Sequence, residues 1–385
     1  MQTRKEIALL IETSNAYARG LVEGIIAYMR EHEPWSIYLP EQGRGAAPPT
    51  WLKNWKGDGL IARIETKEIG SIIQKTHLPV VDVSAGQFVK NIPWVETDDA
   101  AIADLAVNHL IERGFRHLAF CDEPEFNWSV WRRDRFQLRV TEAGIECHLF
   151  SAKPRSAPGF SWNREKKRLV RWIEQLPKPV GIMACYDIKA QQILDICREL
   201  EISVPQQVAV IGVDNDHLLC NLCSPPLSSV IPDTRRTGYE AAQLLDRLMN
   251  GEQVDSSGFL VEPLGIATRQ SSDVLATDDQ EIAQAMQFIR EHACDGINVG
   301  DVLGVVPLSR RVLEYRFKNI TGRTPHDAIV QHRLDRVRQL LQDTDLTMAE
   351  IADKAGFEHV EYMSAAFRKK LGIAPSNYRK KVQPK

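Results

Sequence analysis

At 385 residues the chain exceeds what one core ordinarily fills, so two or three domains are expected. Its 43% hydrophobic and 26% charged residues exclude a disordered or membrane-embedded chain, and it holds no run of about 18 apolar residues that could span a bilayer. The formal charge of -3 is unevenly spread: residues 281–385 carry 17 Lys+Arg against 13 Asp+Glu, which is +4 and leaves -7 for the rest, so the two parts are expected to have different partners.

The opening stretch, "MQTRKEIALLIETSNAYARG", has a basic flank but an apolar run too short for a signal sequence, and it reads as a buried first strand. Cytoplasmic residence is the expectation. From residue 5 to about 270 the strand candidates are "IALLIE", "GLIARI", "VVDVSA", "HLAFCD", "VGIMAC" and "VAVIGVD". They alternate with helix patterns such as "AIADLAVNHLIERG", "KAQQILDICRELE" and "RRTGYEAAQLLDRLMNG". Apolar strands alternating with amphipathic helices predict a parallel sheet covered on both faces, and the number of units predicts two lobes. Seven scattered cysteines fit reduced thiols. Cys220 and Cys223 in "CNLC" have only His217 nearby and read as packing residues rather than a metal or redox pair. No cofactor or metal is expected.

A two-lobed body of this kind takes ligands at the carboxyl ends of its strands. The candidates are polar residues just after the apolar runs: Ser14 and Asn15, Asp98, the segment before Phe136, Asp187 and Asp214. Carboxylates accept hydroxyl hydrogens, guanidinium groups donate, and aromatic faces pack against sugar C–H groups, so such a set suits a polyol. The bland alternative is that aspartates at strand ends cap the following helices.

The polar stretch "ATRQSSDVLATDDQE" breaks the pattern, and residues 271–280 read as a linker in which Asp278 or Asp279 can cap the next helix. Beyond it the apolar spacing is helical throughout: Ile282, Ala285, Met286 and Ile289, then Ile329, Leu334, Val337, Leu340 and Leu341. In "MAEIADKAGFEHVEYMSAAFRKKLG", Ile351 and Ala352 form an apolar face and Gly356 can take the positive φ of a sharp turn. Phe357 plugs the core, and a second helix turns Met363 and Phe367 inward. Its outer face offers His359, Glu361, Tyr362 and Ser364 to base edges, with Arg368, Lys369 and Lys370 available to phosphates. A related unit lies upstream, where Leu313 and Phe317 take the places of Met363 and Phe367, and "FKNITGRTP" echoes "FRKKLGIAP". Two such units could set recognition helices in successive major-groove turns, roughly 34 Å apart.

Three stretches, "LSRRVLEYRFK", "RLDRVRQLLQDTDLTMAEIADKAGF" and "AAFRKKLGIAPSNYR", resemble the AraC family of transcription regulators, over residues 281–385. The resemblance implies a double helix-turn-helix domain in which Ser309, Arg310, Arg311, Glu314 and Tyr315 of the first unit join the second unit's residues at DNA. The chain departs from the family pattern at Pro307, in place of the usual turn glycine, and at Leu303, in place of a small alanine. Altered geometry is therefore expected in the first turn.

Residues 1–270 resemble the periplasmic-binding-protein-like effector domains of LacI-type repressors, through "GIMACYDIKAQQIL", "PQQVAVIGVDND", "PPLSSV" and "GYEAAQLLDRL". That resemblance implies sugar contact by Asp214, by Arg132, and by Asp98 and Asp187 as further pocket residues. Tyr186 replaces the asparagine usual before Asp187. The fold class expected for the whole chain is a two-lobed α/β domain followed by an all-α domain with two helix-turn-helix units. Sensor first and reader last resembles the xylose-responsive activators of enteric bacteria, in which Trp128 also occupies a tryptophan position. This implies a homodimer that takes D-xylose as effector, binds promoter DNA, and contacts RNA polymerase. Another sugar or a sugar phosphate is the alternative effector. An enzyme is the alternative of another class, but no P-loop, G-x-S-x-G or H-E-x-x-H is present, and "GRGAAP" at 43–48 has Pro48 where a dinucleotide loop needs glycine.

Overall fold

The computed structural model describes residues 4–41, 43, 47–84, 86–154, 156–256, 258–273, 277 and 279–382. Part of the "GRGAAP" stretch and residues 274–276 and 278 of the expected linker lie outside these. The chain divides into two compact units, residues 1–273 and 274–385.

The first unit opens with β1 (Glu6–Leu10), α1 (Ala16–Glu31), β2 (Ser36–Tyr38), β3 (Gly59–Ala62), α2 (Lys67–Ile73), β4 (Val80–Asp82) and β5 (Val95–Thr97). It continues with α3 (Asp99–Glu112), β6 (His117–Asp122), α4 (Asn127–Glu142), β7 (Glu146–Ser151), α5 (Trp162–Gln175), β8 (Val180–Ala184) and α6 (Asp187–Glu199). It closes with β9 (Val208–Val213), α7 (His217–Leu222), β10 (Ser228–Ile231), α8 (Thr234–Met249), β11 (Phe259–Val261) and β12 (Gly265–Ala267).

One lobe is built on a four-stranded sheet ordered β2-β1-β3-β4, the other on a six-stranded sheet ordered β12-β10-β9-β8-β6-β7. All pairings are parallel except β10 with β12. The continuous apolar runs follow from burial on both faces. In β1, Ile7 and Leu9 enter a core with Leu21, Ile25 and Leu245, while Ala8 and Leu10 enter the opposite core with Leu52 and Ile73. Strands β5 and β11 pair with Val95 opposite Phe259, and Val95 and Val261 join the first of these cores. The chain therefore passes between lobes three times: after β5, between β10 and α8, and between β11 and β12.

The second unit is helical among its described residues: α9 (Gln280–His292), a 3-10 turn (Ala293–Asp295), α10 (Val299–Leu303), α11 (Arg310–Thr321), α12 (Pro325–Asp343), α13 (Met348–Lys354), α14 (Val360–Leu371) and α15 (Pro375–Val382). Asp279 caps α9 by accepting from the Ile282 amide. Capping boxes begin α10, α12 and α13, each pairing an N-cap side chain with an acidic residue three positions on. Leu313 and Phe317 are buried in one core with Ile282 and Ile289, and Met363 and Phe367 in another with Ile351 and Phe357.

Candidate functional site

The carboxyl ends of the strands in both lobes converge on a cleft lined by Tyr17, Arg63, Glu96, Trp128, Arg132 and Asp214. Each element delivers its residue for a local reason. Asn15 caps α1 through the Ala18 amide and so fixes Tyr17 in its first turn. Arg63 follows β3 directly, Glu96 lies in β5 at a crossing between lobes, and Trp128 and Arg132 sit one turn apart on α4. The two lobes contribute matching pairs: the Arg63 guanidinium lies 5.0 Å from the Tyr17 ring centroid, and that of Arg132 lies 5.1 Å from Trp128.

Both arginines are held by carboxylates. Arg63 donates to Glu12 and, at 2.7 Å, to Glu65. Burial works against its charge, but these carboxylates outweigh burial and its pKa is raised. Arg132 Nε donates to Asp99 at 2.6 Å and Nη1 to the Cys185 carbonyl at 2.7 Å. Here too burial opposes the charge, and Asp99 and Asp214 reverse its effect. Burial lifts the Asp99 carboxyl to about 7 despite Arg132. The Tyr17 hydroxyl donates to Glu96, whose pKa burial raises against the pull of Arg63. The remaining cavity is about 10 Å³, about the room of one water.

Asp214 stands just after β9 with φ +107, followed by Asn215 at φ +49, conformations that L residues avoid. The surroundings hold them there: the Asp214 amide donates to Val230, the Asn215 amide to Ser229 Oγ, and Arg269 donates to the Asn215 side chain. A backbone held so tightly at a strand end aims one particular side chain.

Of the residues expected at the effector site, Asp214, Arg132 and Trp128 meet in this cleft. The others do not reach its lining. Asp98 caps α3 by accepting from the Ala100 and Ala101 amides. Asn15 is occupied by its cap and by Glu12, and Ser14 is exposed on the preceding turn. Asp187 is buried behind the cleft, accepting from Ser229 Oγ at 2.6 Å and from the Asp216 amide at 2.8 Å. Burial, then the Asp214 charge, push its carboxyl to about 8. Tyr186 backs the Trp128 ring edge-on at 5.8 Å between centroids and donates to Glu123 at 3.3 Å. Tyr17, Arg63 and Glu96 were not singled out in the sequence, and neither was Asp99.

In the helical unit, α11 exposes Arg310, Arg311 and Tyr315, with Glu314 partly covered and paired to Arg310 at 3.0 Å; Ser309 caps the helix start without a side-chain bond. On α14 and its N-cap, His359, Glu361, Tyr362, Arg368 and Lys369 are exposed and Ser364 is partly covered. Both helices end on a left-handed glycine, Gly322 at φ +74 and Gly372 at φ +76. Their leading turns differ. Gly356 turns the second unit at φ +74, whereas no residue from Gly304 to Ser309 has positive φ. Pro307, with its fixed negative φ, stands inside that longer first turn.

Residues 6–100 match the family model of the XylR N-terminal domain, 107–272 that of the periplasmic binding protein-like domain, and 304–381 a helix-turn-helix domain. The chain is 34% identical over 384 residues to the xylose operon regulatory protein of Escherichia coli (strain K12), which covers 98% of this chain and 97% of that protein. The protein of the same description from Haemophilus influenzae (strain ATCC 51907 / DSM 11121 / KW20 / Rd) is 32% identical over 382 residues, 97% of this chain and 98% of that one. The solved structure of the xylose-binding transcription activator XylR matches with a TM-score of 0.82 at 33% identity, covering 98% of each chain. The transcriptional regulator CelR, solved as its complex with cellobiose, shares the fold of the sensor at TM-score 0.58 and 20% identity, over 70% of this chain and 86% of that one. The chain belongs to the family of xylose operon regulatory proteins.

Proposed function

We propose that the first unit binds D-xylose in the cleft between its lobes and that the second unit reads promoter DNA, making the chain a cytoplasmic, homodimeric activator of pentose catabolic genes that contacts RNA polymerase. The observation that carries this reading is the convergence of Asp214, Arg132 and Trp128 with Tyr17, Arg63 and Glu96 in a chain that also presents two helix-turn-helix units. Carboxylates there accept sugar hydroxyls, guanidinium nitrogens donate, and Trp128 covers the C–H face. A neutral sugar suits the cleft better than a sugar phosphate, because Arg63 and Arg132 already face carboxylates and leave no unbalanced cation for a phosphate dianion.

Admission of a pentose to so small a cavity requires the lining to part, so the sugar selects an arrangement of the lobes. The ligand shifts the protein between states only by its difference in affinity for them. On DNA, Glu361, His359, Tyr362 and Ser364, with Ser309, Arg311, Glu314 and Tyr315 of the first unit, face bases, whereas Arg310, Arg368 and Lys369 face phosphates. Calorimetry with Asp214→Ala tests the cleft. D-xylose binding is expected to be lost while sugar-independent binding to promoter DNA stays within about twofold; an unaltered xylose affinity would overturn the assignment.

A further inference from the structure

Strands β6 and β7 pair with His117 opposite Glu146 and Ala119 opposite His148. Side chains two apart on a strand share a face, so Glu146 and His148 lie on the face of Phe150, and His117 on that of Ala119. Phe150 and Ala119 belong to one core with Leu169 and Ile173 of α5. The register thus gathers two imidazoles and a carboxylate at the amino ends of two strands, the opposite end of the sheet from the cleft.

One ligand atom from each of His117, Glu146 and His148 lies within 4.8 Å of the other two. The imidazole centroids are 6.3 Å apart, and His148 Nε2 is 3.8 Å from a Glu146 carboxylate oxygen. His117 Nδ1 and His148 Nε2 are both sealed from solvent, and neither has a hydrogen-bond partner among the described residues. Buried polar atoms are ordinarily satisfied, so two orphaned imidazole nitrogens in one cluster need a reason. A neutral imidazole nitrogen is a metal ligand, and the Glu146 carboxylate is largely exposed and free to swing toward it. Two imidazoles and one carboxylate form a zinc-class donor set with a fourth place left for water. Ligand atoms about 2.0–2.2 Å from an ion stand closer together than these three do. The approach is short, and β7 is an edge strand that can make it.

We propose that His117, Glu146 and His148 form a divalent transition-metal site of the zinc class that fastens the edge strand β7 to β6. The sequence conceals it, because the ligands lie 29 and 31 positions apart and meet only through the β6–β7 register. Cys147, between the two β7 ligands, points to the other face and is not a ligand.

The test uses the full-length protein stripped by a chelator and titrated with ZnCl2 against a chromogenic indicator. One ion per chain is expected to bind in the micromolar range or tighter, raising the melting midpoint of the sensor where MgCl2 does not. His117→Ala and His148→Ala should each weaken binding at least tenfold while D-xylose binding remains. Loading the unmodified chain with Co2+ gives a second readout that needs no variant: visible d–d bands without a thiolate charge-transfer band are expected. A thiolate band, no zinc uptake, or uptake unchanged by both histidine variants would each overturn the proposal.

Discussion

Asp214 couples a backbone cost to a chemical role, and two substitutions separate them. Alanine at φ +107 keeps the strain and removes the carboxylate, whereas glycine removes both. Asp214→Gly is therefore expected to be more stable than Asp214→Ala by about 1 kcal/mol, with D-xylose binding lost in both. Equal melting midpoints would show that the strain is not stored there. A second residue carries a pH dependence. Asp82, the last residue of β4, is buried and accepts from Ser84 Oγ at 2.7 Å and the Ile64 amide at 3.3 Å through one oxygen. Its other oxygen has no partner among the described residues. Burial raises its pKa to about 8, above the unfolded value, so folding takes up a proton between roughly pH 4 and 8. The native state then binds more protons than the unfolded one, and the contribution of Asp82 to stability falls as pH rises through that window. Asp82→Asn keeps the accepting oxygen and cannot ionise. In urea titrations its stability relative to the unmodified chain should climb from pH 5 to pH 8.5; a flat difference would refute the assignment. The cleft itself was partly legible in sequence. Asp214 ends an apolar run, and Arg132 and Trp128 stand in a recognisable segment. Arg63 was hidden inside the run "GLIARI", and Glu96 in a strand too short to show a period. Tyr17 was hidden on a helix whose apolar face also serves the core.

At the scale of elements, two glycines with the same backbone angle offer a controlled comparison. Gly356 and Gly372 have φ of +74 and +76, but a Cβ on Gly356 would lie 2.6 Å from the Cys294 carbonyl oxygen, while one on Gly372 would meet nothing within 4 Å. The Gly356 turn is pressed against the 3-10 turn that follows α9. Arg333 of α12 reinforces the junction, donating to the Ala293 and Ile297 carbonyls at 2.7 Å each and lying 5.7 Å from the Phe357 centroid. Gly372→Ala should cost about 1 kcal/mol of the helical unit's stability, the penalty of a left-handed alanine. Gly356→Ala should cost roughly 2–4 kcal/mol, because the carbonyl must also withdraw. Since this junction joins the two helix-turn-helix halves, Gly356→Ala should also weaken binding to DNA spanning two major-groove turns more than Gly372→Ala does. Indistinguishable losses in melting and gel-shift series would remove the junction's role. On α14, Lys369→Ala should weaken all DNA sequences alike and reduce the salt slope by about 1, whereas Glu361→Ala should relax base preference at unchanged slope. The second unit's turn was readable because a glycine marks it, and the strands β1, β3, β4, β6, β8 and β9 were readable because burial on both faces makes the apolar runs that hold them continuous. Strands β2, β5, β7, β10, β11 and β12 were not read. β2 is exposed and β7 lies at a sheet edge with a mixed surface, while β5, β10, β11 and β12 are short and interrupted or closely bounded by polar residues or proline, so no apolar run marks them.

For the whole molecule, the two units each have their own buried cores and opposite formal charge: 17 Lys+Arg against 15 Asp+Glu give +2 for residues 274–385, which leaves -5 for residues 1–273. A sugar sensor and a polyanion reader need opposite surfaces, and putting them on separate cores lets each be tuned alone. Calorimetric unfolding of the full chain is therefore expected to show two transitions rather than one. D-xylose at a hundred times its dissociation constant should stabilise the sensor transition by about 2.7 kcal/mol, and a promoter fragment should act on the other. Signalling adds a stricter condition. If xylose raises DNA affinity by some factor, promoter DNA must raise xylose affinity by that same factor, because both measure one coupling free energy. For a factor of 5–150 this coupling is about 1–3 kcal/mol, within reach of titration calorimetry performed with and without the promoter fragment. Xylose affinity unchanged by saturating DNA would mean that the cleft and the reader helices do not communicate through binding equilibria. The sugar would then have to act at a later step, such as polymerase contact, and DNA affinity measured with and without xylose would be the same.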